Sequence, residues 1–404
     1  MIAAVLIFAA TYFVIAVGRL PGYRIDRAGA ALLGASLMVA VGVLDLPAAY
    51  AAIDGDTIAL LLGMMIVVAN LRLSGFFRLV TSWVVSRAHH PLVLLGGIVA
   101  VVGVLSAFLV NDAICLVMTP LVLDLVTRLK RNPVPYLLSV AMASNAGSVA
   151  TITGNPQNMI IGSLSHIPYA TFAGALSPVA VLGLVLTFAL IALSDRNEFF
   201  RSGRLIAGAD GPVHYHRALV IKTVAVLAAM VVLFFAGQPV AKIALLGGAL
   251  LLFTRRIRPE KVYLEIDWPL LVMFAGLFVV VAGLEKAVLD PRTIAAVGLI
   301  RLDSVPVLAA ITAVLANIVS NVPAVLVLKP FVAGLADPKR AWLTVAMAST
   351  LAGNFTLVGS VANLIVAERA RSRGVTIGFW PYLRVGAPLT LLTLVFGTLW
   401  MAWV

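Results

Sequence analysis

VAMASNAGSVATITGNPQN, residues 140–158, and VAMASTLAGNFTLVGSVAN, residues 345–363, are one passage written twice. Their first five residues are identical, and Thr151, Gly154 and Asn158 fall on Thr356, Gly359 and Asn363. The correspondence extends outward. Asn111 and Pro120 fall on Asn321 and Pro330; further upstream, Ile53-Asp54, Gly63, Ala69 and Leu71 fall on Ile266-Asp267, Gly276, Ala282 and Leu284. The spacing between partners shrinks only slowly along the chain, so these are two homologous halves. In an apolar chain, matching polar, Gly- and Pro-broken segments in two halves are the pattern of a secondary transporter.

Composition agrees. The 404 residues are 62% hydrophobic and 11% charged, where a soluble domain has about 25% charged residues. The apolar runs Ile2–Val17, Ala28–Leu44, Thr57–Leu71, Thr171–Leu193, Ala218–Phe235, Val240–Phe253, Pro269–Leu284 and Ile377–Val404 read as membrane spans. The first lacks a basic leader and is one span among many, so it is not read as a signal peptide. The net charge of +12 is spread over many short loops, which fits the positive-inside rule and not a nucleic-acid partner. A single cysteine, Cys115, excludes an intrachain disulfide or a multi-thiolate metal site. His89, His90, His166, His214 and His216 all fall in loops. No metal, no cofactor and no enzymatic nucleophile–histidine pairing is expected.

Each half reads as three spans, an amphipathic piece (Phe76–Ala88, Lys286–Ile300), an interrupted apolar stretch, a second interrupted stretch and a last span. The first interrupted stretches, Pro91–Leu129 and Val305–Leu335, carry Asn111-Asp112 and Ser320-Asn321 at their centres. They are read as re-entrant hairpins, because a loop at membrane depth is tolerated only where it lines a cavity. The second, Tyr136–Ile161 and Ala341–Ala367, are read as helices broken at the midplane. With five spans and one hairpin per half, the repeats are inverted, and 22 of the 29 basic residues fall on one side. That side is the cytoplasm. The expected protein is an all-α, multi-pass protein of a bacterial-type inner membrane with both termini outside.

A broken helix offers free N–H groups at one end and carbonyls at the other. The expected substrate-binding residues are Asn111, Ser144, Asn145, Thr151, Thr153, Gly154, Asn155 and Asn158 in the first half. In the second they are Ser320, Asn321, Ser349, Thr350, Thr356, Gly359 and Asn363. Asp112 is the one acidic residue at a break and the candidate for coupling to a proton, or to sodium; capping a helix that starts at Ala113 is its alternative role. Lys329, alone inside a hairpin, is expected to snorkel outward.

At these residues the sequence resembles the ion transporter superfamily, which holds divalent-anion/sodium symporters, citrate carriers, arsenite/antimonite permeases and sodium/proton antiporters. In the symporter branch each hairpin tip carries Ser-Asn-Thr. Ser320-Asn321 matches two positions and Val322 departs; at the first tip only Asn111 matches, with Val110 and Asp112 departing. An Asn-Asp first tip is similar instead to the arsenite permease and antiporter branch, and Asn145-Ala146-Gly147-Ser148 through Asn158 to plant silicon effluxers. The resemblance implies scaffold parts (1–90, 218–302) and mobile transport parts (91–194, 303–404), joined by a cytoplasmic linker (195–217). It implies an elevator-like, alternating-access cycle.

The reading that follows is proton-coupled efflux of a small metalloid hydroxide or oxyanion, such as arsenite, antimonite or silicic acid. The absence of arginine from both hairpin tips argues mildly against a di- or tricarboxylate. A cation-coupled carboxylate or inorganic-anion carrier and a sodium/proton antiporter are the alternatives, and a channel suits two opposed hairpins less well. The expected partners are the lipid bilayer, the small inorganic or organic substrate and the coupling ion; a homodimer is left open.

Overall fold

The computed structural model describes residues 2–18, 25–200, 203, 215–254, 256–288 and 301–404. Most of the expected amphipathic segment Lys286–Ile300 and much of the linker therefore lie outside the described residues.

The first half runs α1 (Ile2–Val17), α2 (Arg27–Ala40), α3 (Leu46–Ala52), α4 (Gly55–Ser74), α5 (Phe76–Arg87), α6 (Pro91–Phe108), α7 (Asn111–Arg128) and α8 (Pro133–Ser148). A short 3₁₀ turn (Ile152–Gly154), α9 (Pro156–Ser165) and α10 (Tyr169–Ser194) complete it, and the linker opens with α11 (Arg196–Phe200). The second half runs α12 (Arg217–Phe235), α13 (Val240–Leu252), α14 (Pro259–Tyr263), α15 (Trp268–Val288), α16 (Val305–Val319), α17 (Asn321–Val332), α18 (Pro338–Ala352), α19 (Val361–Arg371) and α20 (Phe379–Trp403). Among the described residues six helices are long and apolar enough to cross a bilayer: α4, α6, α10, α12, α15 and α20.

Both interrupted stretches break where the sequence places the breaks. α6 and α7 part at Leu109–Val110, and α16 and α17 part at Ser320. Ser320 takes φ 79°, a left-handed conformation that a side chain resists, so the second tip is strained where the first is not. α8 and α18 each stop after the repeated Val-Ala-Met-Ala-Ser, and α9 and α19 restart behind Asn155 and Ser360, whose side chains cap Asn158 N and Ala362 N.

Contacts between helices repeat across the halves. α4 packs on α13 as α15 packs on α2; α6 packs on α8 as α16 on α18; α7 packs on α19 as α17 on α9; and α10 packs on α20. Helices α1–α4 and α12–α15 make most of their contacts with one another, and α6–α10 and α16–α20 form a second group. Small residues allow the crossings. A Cβ on Gly63 of α4 would stand 2.4 Å from the Ala244 carbonyl of α13. A Cβ on its counterpart Gly276 of α15 would stand 2.7 Å from the Ala31 carbonyl of α2. Large apolar side chains face outward on the outer helices, including Leu33, Val181, Val185, Ile221, Leu246 and Leu391. In water such a belt would be a liability; against lipid tails it is the ordinary surface.

Gly63→Ala forces α4 away from α13 and is expected to cost about 1–3 kcal/mol. Gly174→Ala on α10, where a Cβ meets nothing within 4 Å, is expected to be neutral or slightly stabilising. Thermal unfolding of the detergent-purified variants checks the contrast; equal midpoints would mean that α4 and α13 are not in tight contact.

Candidate functional site

The two broken helices are held by the same device. A helix that stops inside an apolar body leaves its last carbonyls without partners. Asn158 Nδ2 donates to the carbonyls of Ser148 (3.0 Å) and Thr151 (2.9 Å). Asn363 Nδ2 donates to those of Gly353 (2.7 Å) and Thr356 (3.1 Å), the matching positions. Gly154 lets the turn pass over the Ser148 carbonyl, where a Cβ would stand 2.2 Å away. Gly359 passes likewise over the Gly353 carbonyl.

The halves are then stitched through fully buried amides. Asn145 Nδ2 donates to Asn354 Oδ1 (2.9 Å) and Asn363 Oδ1 (3.1 Å). Asn145 Oδ1 accepts from Asn111 Nδ2 (3.1 Å) and Ser360 Oγ (3.2 Å). At the matching position, Thr350 Oγ1 accepts from Asn155 Nδ2 (3.2 Å) and Gln157 Nε2 (3.1 Å). Ser144 Oγ reaches the Asn111 carbonyl at 3.2 Å and fixes the first hairpin tip to α8.

Above this network lies a narrow cleft of about 30 Å³, part of it open to the outside. Four helices begin on it: α7 with Asn111 and Asp112, α17 with Asn321, α9 with Pro156 and Gln157, α19 with Ser360 and Val361. Its opposite wall comes from the first helix group, with Ile15 of α1, Arg27 of α2 and Leu270, Met273 and Phe274 of α15. Four N-terminal helix ends give the floor a partial positive charge. α9 and α19 have side-chain caps, but α7 and α17 have none, so backbone N–H groups at both hairpin tips are not claimed by side chains. At the same tips the buried oxygens Asn111 Oδ1 and Asn321 Oδ1 have no hydrogen-bond partner among the described residues. Free donors and free acceptors stand together at each tip.

Asp112 sits in the first turn of α7, which begins at Asn111, and makes no capping bond; the cap at Ala113 is not formed. Both Arg27 and Asp267 act electrostatically on it. The cleft therefore has an arginine, although neither hairpin tip carries one. Arg27 comes from the start of α2.

Of the residues expected from sequence, Asn111, Asp112, Ser320 and Asn321 line the cleft. Ser144, Asn145, Asn155, Thr350 and Asn363 form the network beneath it. Thr151 and Thr153 turn away: Thr151 donates to the Ala107 carbonyl, and Thr153 meets the Tyr169 hydroxyl at 2.9 Å. Ser349 bonds back to Ala346 O of its own helix at 3.3 Å, and Thr356 contributes its carbonyl to Asn363. Gly154, Gly359 and Asn158 shape the breaks. Gln157, Asn354 and Ser360 fall in the polar runs of the broken helices but are not among the expected ligands, although Ser360 is the counterpart of Asn155; Arg27 has no local signal. Cys115 is buried between α7 and α8, with its sulfur 4.0 Å from the Val140 carbonyl, and packs as a small apolar residue.

Comparison with known proteins adds the following. The family model described as citrate transporter matches residues 10–352. The chain is similar to an uncharacterized transporter of Mycobacterium tuberculosis, at 33% identity over 98% of both chains. It is also similar to a silicon efflux transporter of rice, Oryza sativa subsp. japonica, at 29% identity over 93% of this chain and 92% of that one. A putative transporter named arsB, from Dictyostelium discoideum, is 24% identical over 92% and 86%. The crystal structure of the Alcanivorax borkumensis YdaH transporter, described as having an unusual topology, superposes with a TM-score of 0.60 over 99% of this chain and 96% of that chain, at 16% identity. That last likeness concerns the fold.

Asn363→Ala leaves the buried Gly353 carbonyl without a donor, while the Thr356 carbonyl keeps the Gly359 N–H, and is expected to cost about 1–3 kcal/mol. Denaturant unfolding of the purified protein measures it. A loss no larger than that of an exposed Asn→Ala change would show that water replaces the amide and that the break does not depend on it.

Proposed function

We propose, for a chain that belongs to the citrate transporter family, that this membrane transporter exports a small neutral metalloid hydroxide in exchange for protons. Arsenous, antimonous and silicic acids are substrates of the right chemistry. The observation that carries the reading is the pairing of unclaimed N–H groups with unpaired Asn111 Oδ1 and Asn321 Oδ1 at the two hairpin tips. A polyhydroxy solute both donates and accepts through each hydroxyl, so it answers both sets at once. A carboxylate would satisfy the donors and leave the two amide oxygens facing it, which costs binding energy in a dry site. The name of the rice relative, a silicon efflux transporter, points the same way.

Asp112 is the coupling group in this proposal. It is the acidic residue at the cleft and, as a carboxylate, it can carry the proton exchanged for substrate. The helices α6–α10 and α16–α20 carry both tips and the network, and they move as a body along α1–α4 and α12–α15, taking the site from one side to the other. The inverted topology, with both termini outside and the linker in the cytoplasm, rests on the one-sided distribution of basic residues.

Arg27 supports a second reading. A guanidinium over four helix starts suits a carboxylate or inorganic oxyanion, and the matched family carries the citrate name. Proteoliposomes separate the two. Arsenite, silicic acid, citrate and sulfate are compared under imposed proton and sodium gradients. Metalloid movement driven by the proton gradient is expected; sodium-dependent citrate movement with no metalloid flux would establish the second reading instead.

Three substitutions sharpen the test. Asn111→Ala and Asn321→Ala each remove one hydrogen bond to substrate and are expected to weaken binding by about 0.5–1.5 kcal/mol. Asp112→Asn keeps shape and cannot titrate. It is expected to bind substrate and to retain part of the substrate exchange while losing uphill transport driven by a pH gradient. Wild-type pH dependence in the Asp112→Asn protein would remove Asp112 from the coupling step.

A further inference from the structure

Two halves built alike should make two like clefts, one beside each hairpin. Here they differ. Beside the first hairpin lies a wide cleft of about 800 Å³, with Arg72, Gly75 and Arg78 on one wall and Leu116, Pro120 and Asp124 on the other. Beside the second hairpin the matching residues are joined. Lys329 on α17 stands just before Pro330, as Thr119 on α7 stands just before Pro120. Glu285 on α15 follows Leu284, as Arg72 on α4 follows Leu71. Lys329 Nζ lies 3.5 Å from Glu285 Oε1, and the two side chains are 33% and 24% exposed. Lysine at this position thus reaches across the seam between the two helix groups instead of snorkelling outward.

Among the described residues, the first half has no such bridge. Thr119 donates its hydroxyl to the Cys115 carbonyl of its own helix at 2.6 Å. Arg72 is paired with Glu265, beyond the cleft wall. Asp124 is paired with Arg373, in the turn that follows α19, within its own helix group. The halves are alike in backbone and differ in charge at this contact between each hairpin and the opposing group.

From this asymmetry we infer that the Lys329–Glu285 pair is a latch, holding the second hairpin against α15 while the cleft beside the first hairpin is open. The pair parts when the opposite cleft opens. Partial exposure makes that practical. Buried fully, two separated charges would be prohibitive; at a seam that fills with water on opening, both are solvated as they separate. A pair exposed to a quarter to a third biases the equilibrium by a factor of about two to five and does not lock it. The inference rests on the two-group motion proposed above, and not on what the substrate is.

The test follows the open cleft directly. Leu116→Cys, placed in a Cys115→Ala background, puts a single thiol on that cleft, and its rate of reaction with a water-soluble maleimide in nanodiscs reports how often the cleft is open. Lys329→Gln and Glu285→Gln are each expected to slow the reaction about twofold to fivefold, and the exchanged pair Lys329→Glu with Glu285→Lys to bring it back toward the original rate. Lys329→Arg is expected to keep it, which guards against a general packing defect at this position. Unchanged rates in both neutral variants, or a slowing that the exchanged pair does not reverse, would overturn the latch. The readout needs no transported solute, so a failed substrate assignment and a failed latch are told apart.

Discussion

A helix broken inside an apolar body has carbonyls that no water reaches, and the structure depends on finding them donors. Asn158 and Asn363 do this in the two halves with the same geometry, each amide bridging two carbonyls across a glycine turn. Once the breaks are held open, four helix starts can point into one cleft. The hairpins are held there in turn, the first through Ser144 on the Asn111 carbonyl and Asn145 on the Asn111 amide. Because Asn145 also bonds Asn354, Asn363 and Ser360, the two halves share one polar centre, and neither break can shift alone.

Symmetry builds the body, and departures from it carry the chemistry. Gly63 and Gly276 sit at equivalent close crossings, and Asn158 and Asn363 each bridge two carbonyls at matching positions. At the cleft, Asp112 has Val322 as its counterpart, and Asn145 has Thr350. Arg27 faces Asp112 from the first half only, its counterpart being an apolar residue at the start of α13. A carrier needs a framework that looks similar from both sides and a site that titrates and recognises. A duplicated chain meets both needs by diverging at a handful of positions.

Much of this was legible in the sequence. The repeat located both hairpins, both breaks and nearly all the buried amides, because a polar residue at membrane depth is conspicuous against so apolar a chain. It did not give orientation along each break. Thr151 and Thr153 looked like ligands by type and turn toward α6 and Tyr169. It also could not give what comes from far away. Arg27 reads as a loop charge, and only the return of α2 to the hairpin tips places it on the cleft. Lys329 looked solitary, since Glu285 closes on it from another helix. Asn354 lies opposite Asn145 across more than half the chain. These are tertiary facts with no local pattern behind them.

The central claim is that paired free donors and acceptors at the two tips select a neutral hydroxylated solute. Equilibrium binding to the purified protein tests it most directly, with arsenous acid and citrate titrated separately and in competition near neutral pH. The account predicts saturable binding of the neutral hydroxide, little competition from citrate, and loss of binding when Asn111→Ala and Asn321→Ala are combined. Saturable citrate binding that survives the double substitution, with none for the hydroxide, would contradict it.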